Sequence, residues 1–367
     1  MPRMKAALLE ASGGSLRLEQ LTIEDPRPGH VLVRVAGCGV CHSDLSLVDG
    51  VFPCPLPIVL GHEAAGVVEA VGAAVTELAV GDHVVLTACP PCGACYWCVR
   101  GEASLCVASQ AIQTNTFADG TTGLSLGGNV VYRGLGVAAF AEYAVVSTRA
   151  AVRIPADVPL ETASVIGCAV QTGVGAVLNT ARVEEGATVL VMGLGGIGLS
   201  IVQGARVAGA ARIIASDPVA HRRDAAARFG ATDVIDPSVE DVIGRVLSLT
   251  GVGVDYAFDA AGRARVVELG IAATRPGGTT VCVGAPSLDE VVTIPTPALF
   301  TVSERKLIGC VLGSCNSLRD IPRLVALWQT GRLELDALVT RRRPLAEINE
   351  AMADLRAGRE IRTVLAS

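Results

Sequence analysis

Residues 188–217 read TVLVMGLGGIGLSIVQGARVAGAARIIASD, and no other stretch narrows the possible folds of this chain as far. A run of β-branched and apolar residues ends in GLGGIG, a helix-like segment follows, and a second apolar strand, RIIASD, ends on Asp217. The spacing fits the dinucleotide-binding fingerprint. Gly193 makes the turn, Gly195 lets backbone approach a pyrophosphate, and Gly198 lets the helix pack on the strand. Gly196 and Ile197 complete the cofactor-facing turn, where the first helical amides and the positive dipole end meet the phosphates. Asp217 follows Gly198 by 19 residues, where a carboxylate accepts hydrogen bonds from a ribose diol and repels a 2′-phosphate. The reading favours NAD over NADP, with Arg222 and Arg223 just downstream as the complicating charges.

The pattern continues. DVID (233–236), VDYAFDAAG (254–262), TTVCVGA (279–285) and KLIGCVLG (306–313) read as further strands, with helix-like segments such as AHRRDAAARFGA (220–231) between the earlier ones. Six strands of this type predict an α/β fold with a doubly wound parallel sheet over 170–312. What precedes is rich in short β segments and Gly/Pro turns, among them VLVRVAGCGV, AAGVVEAVG, VGDHVVL and FAEYAVV. The tail, IPRLVALWQTGRLELDALVT (321–340) and LAEINEAMADLRAG (345–358), is helical by period. The expectation is a β-rich catalytic domain over 1–169, to which 313–367 returns, with the nucleotide fold inserted. RRR at 341–343 reads as a solvated loop.

The chain has 367 residues, a net charge of −6 and no basic stripe, which argues against a nucleic-acid partner. Half the residues are hydrophobic and mean hydropathy is +0.49. Two uncharged runs, 162–181 and 186–205, approach membrane-span length, but glycines and polar residues break both, so they read as buried core. MPRMKAALLEASGG lacks an apolar stretch of signal-peptide length, and a cytoplasmic protein with reduced thiols is expected.

That matters for CPPCGACYWCVRGEASLC (89–106). In a reducing compartment these cysteines point to metal rather than disulfides. Cys92, Cys95, Cys98 and Cys106 are spaced C-x2-C-x2-C-x7-C, so the short gaps let thiolates converge and the longer one returns a fourth. Four sulfurs without histidine suit a closed structural zinc site. An iron–sulfur cluster uses similar spacings, but nothing in the chain implies electron transfer. Cys89 falls outside the pattern.

GCGVCHSD (37–44), GHE (61–63) and GCAVQTG (167–173) form a second constellation, each with one candidate ligand beside glycine: Cys41, His62 and Cys168. Singly, Cys168 reads as a small buried hydrophobe and His62 as a loop histidine. Together, two thiolates and one imidazole make a catalytic zinc set with a fourth position left for water or substrate. Asp44 and Glu63 adjoin these ligands, where carboxylates orient a histidine or offset charge.

GHE-x2-G-x2-V (61–68), GVCHSD, the four-cysteine lobe and GLGGIG together resemble the zinc-dependent medium-chain alcohol dehydrogenases, over nearly the whole chain. The segment NTFADGTTGLSLGGNVVYRG before FAEY brings it nearest to the longer, typically dimeric subtype. The resemblance implies a GroES-like catalytic domain with an inserted Rossmann domain, two zinc ions per chain, NAD, and a site in the cleft between domains. It implies a homodimer, with a tetramer as the other possibility, small alcohols and aldehydes as substrates, and no nucleic-acid or membrane partner. By position, Cys41, His62 and Cys168 match the catalytic ligands, and Cys92, Cys95, Cys98 and Cys106 the structural ones. Ser43 matches the hydroxyl that receives the alcohol proton, Thr172 a residue against the nicotinamide, and Arg362 an arginine reaching the pyrophosphate.

Two departures stand out. Many relatives carry a proton-relaying histidine where this chain has Ser46, and an arginine on the pyrophosphate where it has His42, a weaker and titratable donor. Enzymes of this subtype that oxidise S-hydroxymethylglutathione need charges at the pocket mouth; the matching positions, Phe52 and Gln110, have none. Ala88 stands where a bulky aromatic is frequent. A roomy apolar pocket predicts a hydrophobic primary alcohol (aromatic, terpenoid or medium-chain), with S-hydroxymethylglutathione as the alternative substrate.

Overall fold

The computed structural model describes residues 3–294 and 296–366, with Gln110 described by its backbone alone. The chain divides into two compact units. One comprises 1–169, 315–331 and 335–367; the other comprises 170–314 and 332–334.

The second unit is the doubly wound sheet that the fingerprint predicts. Its six strands are Asp233–Ile235, Arg212–Ser216, Thr188–Met192, Val254–Asp259, Thr274–Cys282 and Lys306–Gly309, in that spatial order and all parallel. Numbered along the chain, the order is 3-2-1-4-5-6, which reverses direction beside the first strand and so opens a crevice at its carboxyl end. The central strand, TVLVM, is buried almost throughout because helices cover both faces of a parallel sheet. The helix Gly196–Ala208 packs tightly against it: a Cβ on Gly198 would stand 1.8 Å from the Gly193 carbonyl oxygen. At Gly195, just before the helix, a Cβ would meet nothing within 4 Å. The backbone there borders open space.

The first unit is built on two antiparallel-dominated sheets. In the larger, the strand His30–Gly39 pairs with Glu63–Val71, Tyr143–Ser147 and, near its end, with Thr363–Ala366. The last strand of the chain thus completes a sheet begun near its start. The smaller sheet includes Arg3–Leu9, Arg17–Ile23, Ile58–Val59 and Tyr132–Arg133.

Two expectations about the tail are corrected. Helices cover Ser317–Gln329 and Ile348–Arg356, but 331–340 is not helical: Gly331 takes φ +72°, ending the helix, and Leu333, Leu335 and Leu338 are buried without helical spacing. The run RRR is not a loop. Arg341–Pro344 is a strand paired parallel with Thr363–Ala366, and Arg343 bridges Glu347 and Asp354, each at 2.6 Å. Carboxylates from the following turn and helix make an arginine-rich edge strand tolerable. Among the described residues, no single helix is long and apolar enough to cross a membrane.

Candidate active site and metal centres

Sheet register brings the first two predicted ligands together. Gly39 pairs with Glu63 across antiparallel strands, so Cys41, just beyond one strand end, meets His62, just before the other strand begins. Cys168 arrives from over a hundred residues away after the short turn Val165–Gly167, where Gly167 lies so close to Leu86 that a Cβ would stand 2.5 Å from its oxygen. The candidate ligand atoms of Cys41, His62 and Cys168 lie within 4.8 Å of one another and all three residues are buried. A pair of thiols and an imidazole converging in a dry interior is a donor set that fits zinc with one open position.

The surroundings hold this set in shape. Asp44 is fully buried; its Oδ1 accepts from Gly61 N at 3.0 Å and lies 3.1 Å from His62 Nδ1, while its Oδ2 accepts from Cys41 N at 3.2 Å. With Nδ1 committed to Asp44, the Nε2 of His62 faces the metal position. Burial disfavours a charged His62, but attraction and hydrogen bonding to Asp44 outweigh it and raise its pKa. A shared hydrogen bond with Cys168 lowers Cys41 and raises Cys168, so the two sulfurs hold one proton between them readily. Metal binding displaces such protons.

Glu63 is fully buried, and among the described residues neither of its oxygens receives a hydrogen bond. Burial pushes its pKa up to about 8 against the pull of Arg362, whose Nε lies 3.3 Å away. Arg362, expected on a pyrophosphate, is buried here: it donates from Nη1 to Val40 O at 2.8 Å and faces the ligand cluster. In this structure its charge serves Glu63 and the two ligand thiols. Ser43, half-buried, places its hydroxyl 3.9 Å from the Cys41 sulfur. His42 is exposed at the start of the helix His42–Val48. Ala88 is buried in the core of this unit and Phe52 packs against that same core; the Gln110 side chain lies outside the described residues.

Cys92, Cys95, Cys98 and Cys106 also converge, with sulfur atoms within 4.8 Å of one another. The Cys92–Cys98 and Cys95–Cys106 separations are 4.0 and 3.8 Å, matching the edge of about 3.8 Å of a tetrahedron with zinc–sulfur bonds of about 2.3 Å. Backbone N–H groups of Cys92 and Ala108 donate to the Cys106 sulfur, and that of Cys95 to Cys92. Backbone donors favour thiolate: those of Cys98 and Val107 pull Cys95 down to about 6, whereas burial drives Cys106 up to about 12. All twelve cysteines are unpaired by disulfides. Cys89 is buried outside the set.

In the nucleotide unit, Gly193 takes φ +88° and Asp217 sits buried at the end of the second strand. Asp217 already accepts from Leu194 N at 2.7 Å and Val219 N at 2.8 Å, with Arg222 Nη1 3.8 Å away. The open space at Gly195, before the buried amides of the helix, fits a pyrophosphate. Thr172 is buried in the helix Ala169–Gly175. Sequence reasoning missed Arg133 and Phe117, which pack together at 4.1 Å; an arginine within VVYRGLG offered the one available signal.

One chain that carries a dinucleotide-type sheet in one unit and two metal-ligand sets in a β-rich unit defines a zinc-binding oxidoreductase. A family model described as "Alcohol dehydrogenase GroES-like domain" matches residues 27–156, and one described as "Zinc-binding dehydrogenase" matches 196–329. The chain is 38% identical over 366 residues to an NDMA-dependent alcohol dehydrogenase of Amycolatopsis methanolica, covering 99% of this chain and 98% of the other. It resembles the crystal structure of an alcohol dehydrogenase zinc-binding domain protein from Burkholderia ambifaria, with TM-score 0.95 and 39% identity over 100% of this chain and 99% of that one. Benzyl alcohol dehydrogenase from Acinetobacter calcoaceticus matches with TM-score 0.94 and 34% identity over the same shares. The chain belongs to the zinc-type medium-chain alcohol dehydrogenase family.

Proposed function

We propose that this chain interconverts a hydrophobic primary alcohol and its aldehyde, with NAD as hydride partner. The observation that carries the reading is the buried convergence of Cys41, His62 and Cys168, with the Ser43 hydroxyl beside it. Cys41, His62 and Cys168 would hold a zinc ion, which when bound would offer an alcohol oxygen Lewis-acid chemistry. A bound nicotinamide supplies the hydride acceptor. The protein does the rest. Asp44 holds His62 in the tautomer that leaves Nε2 free, and Arg362 offsets the negative charge of the ligand thiolates. Ser43 takes the alcohol proton and, being half-exposed, passes it outward; Ser46, also half-exposed, provides no imidazole for a longer relay.

Asp217 at the ribose position supports NAD. Phe52 and Ala88 support an apolar substrate, and the similarity to a benzyl alcohol dehydrogenase agrees with it. A panel of alcohols with NAD, followed at 340 nm, tests the reading. Benzyl or medium-chain alcohols should exceed ethanol in kcat/KM by about tenfold, or ~1.4 kcal/mol, and Ala88→Phe should narrow the gap. Equal efficiency with ethanol, or a preference for S-hydroxymethylglutathione, overturns the substrate class. A second reading, in which the hydride acceptor is not free NAD, is favoured by the relative named NDMA-dependent. Turnover with NDMA and none with added NAD would select it.

A further inference from the structure

Arg133 is among the largest fully buried side chains, and among the described residues no carboxylate pairs with it. Burial lowers its pKa to about 9. Its charge is met by carbonyls instead: Nη1 donates to Thr122 O at 3.3 Å, and Nη2 donates to Gly136 O at 3.2 Å and to Val145 O. The guanidinium stacks over Phe117 at 4.1 Å from the ring centroid, and Arg27 lies over the same ring at 4.9 Å, with His30 against its edge. One side chain therefore ties together three segments, around Thr122, the turn at 134–138, and the strand Tyr143–Ser147.

The turn is the consequential one. Leu135, Gly136 and Ala138 all take left-handed backbone, at φ 52°, 76° and 62°, a conformation that leucine and alanine adopt only when held there. Arg133 caps the Gly136 carbonyl, and the buried Asn115 accepts from Leu135 N at 3.0 Å. On leaving the turn, Ala139 N donates to Gly61 O and Phe140 N to Leu60 O, both at 2.8 Å. Gly61 is packed so closely that a Cβ would stand 2.5 Å from Phe140 N. From the other side, Gly61 N donates to the same Asp44 oxygen that faces His62 Nδ1. The peptide preceding His62 is thus gripped between Asp44 and the turn that Arg133 holds.

We propose that Arg133, supported by Phe117, is a positioning residue for the histidine ligand. It fixes the turn at 134–138, the turn fixes Leu60–Gly61, and that peptide sets the aim of the imidazole. The inference rests on the reading of Cys41, His62 and Cys168 as a metal set.

Cadmium-113 exchanged into the whole protein tests it by NMR, because the shift depends on how many thiolates surround the ion. The wild type should show one resonance for the four-thiolate set and one for the two-thiolate, one-imidazole set. Arg133→Met should move or broaden the second line, leave the first in place, and lower kcat about tenfold or more, as loss of outer-shell support for a ligand does. Arg133→Lys should bring the second line back toward wild type. Ile321→Ala, in a helix of the same unit, serves as the control that lowers thermal stability and moves neither line. Phe117→Leu keeps the charge and repeats the test should the methionine variant not fold. If both lines stay in place in Arg133→Met or Phe117→Leu while stability falls, Arg133 is structural only and the inference is overturned. A wild type showing the four-thiolate line alone would instead overturn the metal reading beneath it.

Discussion

Asp44 Oδ1 lies 3.1 Å from His62 Nδ1, with the carboxylate wholly and the imidazole almost wholly shut off from water. The same carboxylate holds Gly61 N and Cys41 N, so one side chain braces two of the three candidate ligands. Asp44→Asn preserves shape but removes the charge that stabilises the donating imidazole. It should weaken metal binding and lower turnover by about 10–100-fold, with Asp44→Ala worse. Chelator competition and kcat check this; a variant with wild-type values of both would count against the role.

The four cysteine sulfurs converge in a lobe whose backbone amides already point at them, and a structural zinc there should order that lobe. Cys98→Ser should lower the zinc content from about two per chain to about one, with a lower melting temperature and lower soluble yield. Metal analysis and thermal denaturation decide. Unchanged zinc content with unchanged stability would remove the structural role.

Asp217→Gly should weaken NADH binding and improve NADPH binding. The carboxylate that repels a 2′-phosphate is lost, and Arg222, 3.8 Å from it, is released toward the same place. Leu194 N and Val219 N also lose their acceptor, at a cost of about 1–3 kcal/mol in stability if they are left unpaired. Fluorescence titration with NADH and NADPH measures the change. A wild type that already prefers NADPH would mean that Arg222 and Arg223 dominate.

Asp259, at the end of the fourth strand of the nucleotide sheet, accepts from Ala261 N and Gly262 N with Oδ1, while its buried Oδ2 has no partner. Burial raises its pKa to about 6 against those amide donors. A carboxyl raised in the native state binds protons there that the unfolded chain has released. Its contribution is therefore neutral below the unfolded value near 4 and becomes a penalty as pH rises from there to about 6, levelling off on the order of 3 kcal/mol above it. Asp259→Asn keeps an acceptor for the two amides and removes the charge. The melting temperature should rise at pH 7.5 and change little at pH 4.5; an increase of equal size at both would refute the charge argument.

Much of the site was legible because its chemistry is local or compositional. GLGGIG and the strand after it encode a turn, a close packing contact and a carboxylate within thirty residues, so spacing suffices. The metal sets were legible because few residue types bind zinc, and C-x2-C spacing brings thiolates together without any knowledge of the fold. Arg362 shows the limit: nothing in its place in the sequence announced that it is buried against Glu63 and Val40.

The sequence by itself determined the strands and helices of the nucleotide sheet and the identity of the residues offered to metal, since periodicity and donor chemistry act over short range; the order of those strands came from the fold. Tertiary structure alone decided which buried charges answer one another. Arg133 lies among carbonyls and a phenyl ring, Arg343 lies between Glu347 and Asp354 on an edge strand, and Asp44 lies under His62. Burying a charge is costly unless partners surround it, and those partners come from strands paired in one register out of many. A shift of one residue would turn Arg133 or Arg343 to the other face of its sheet.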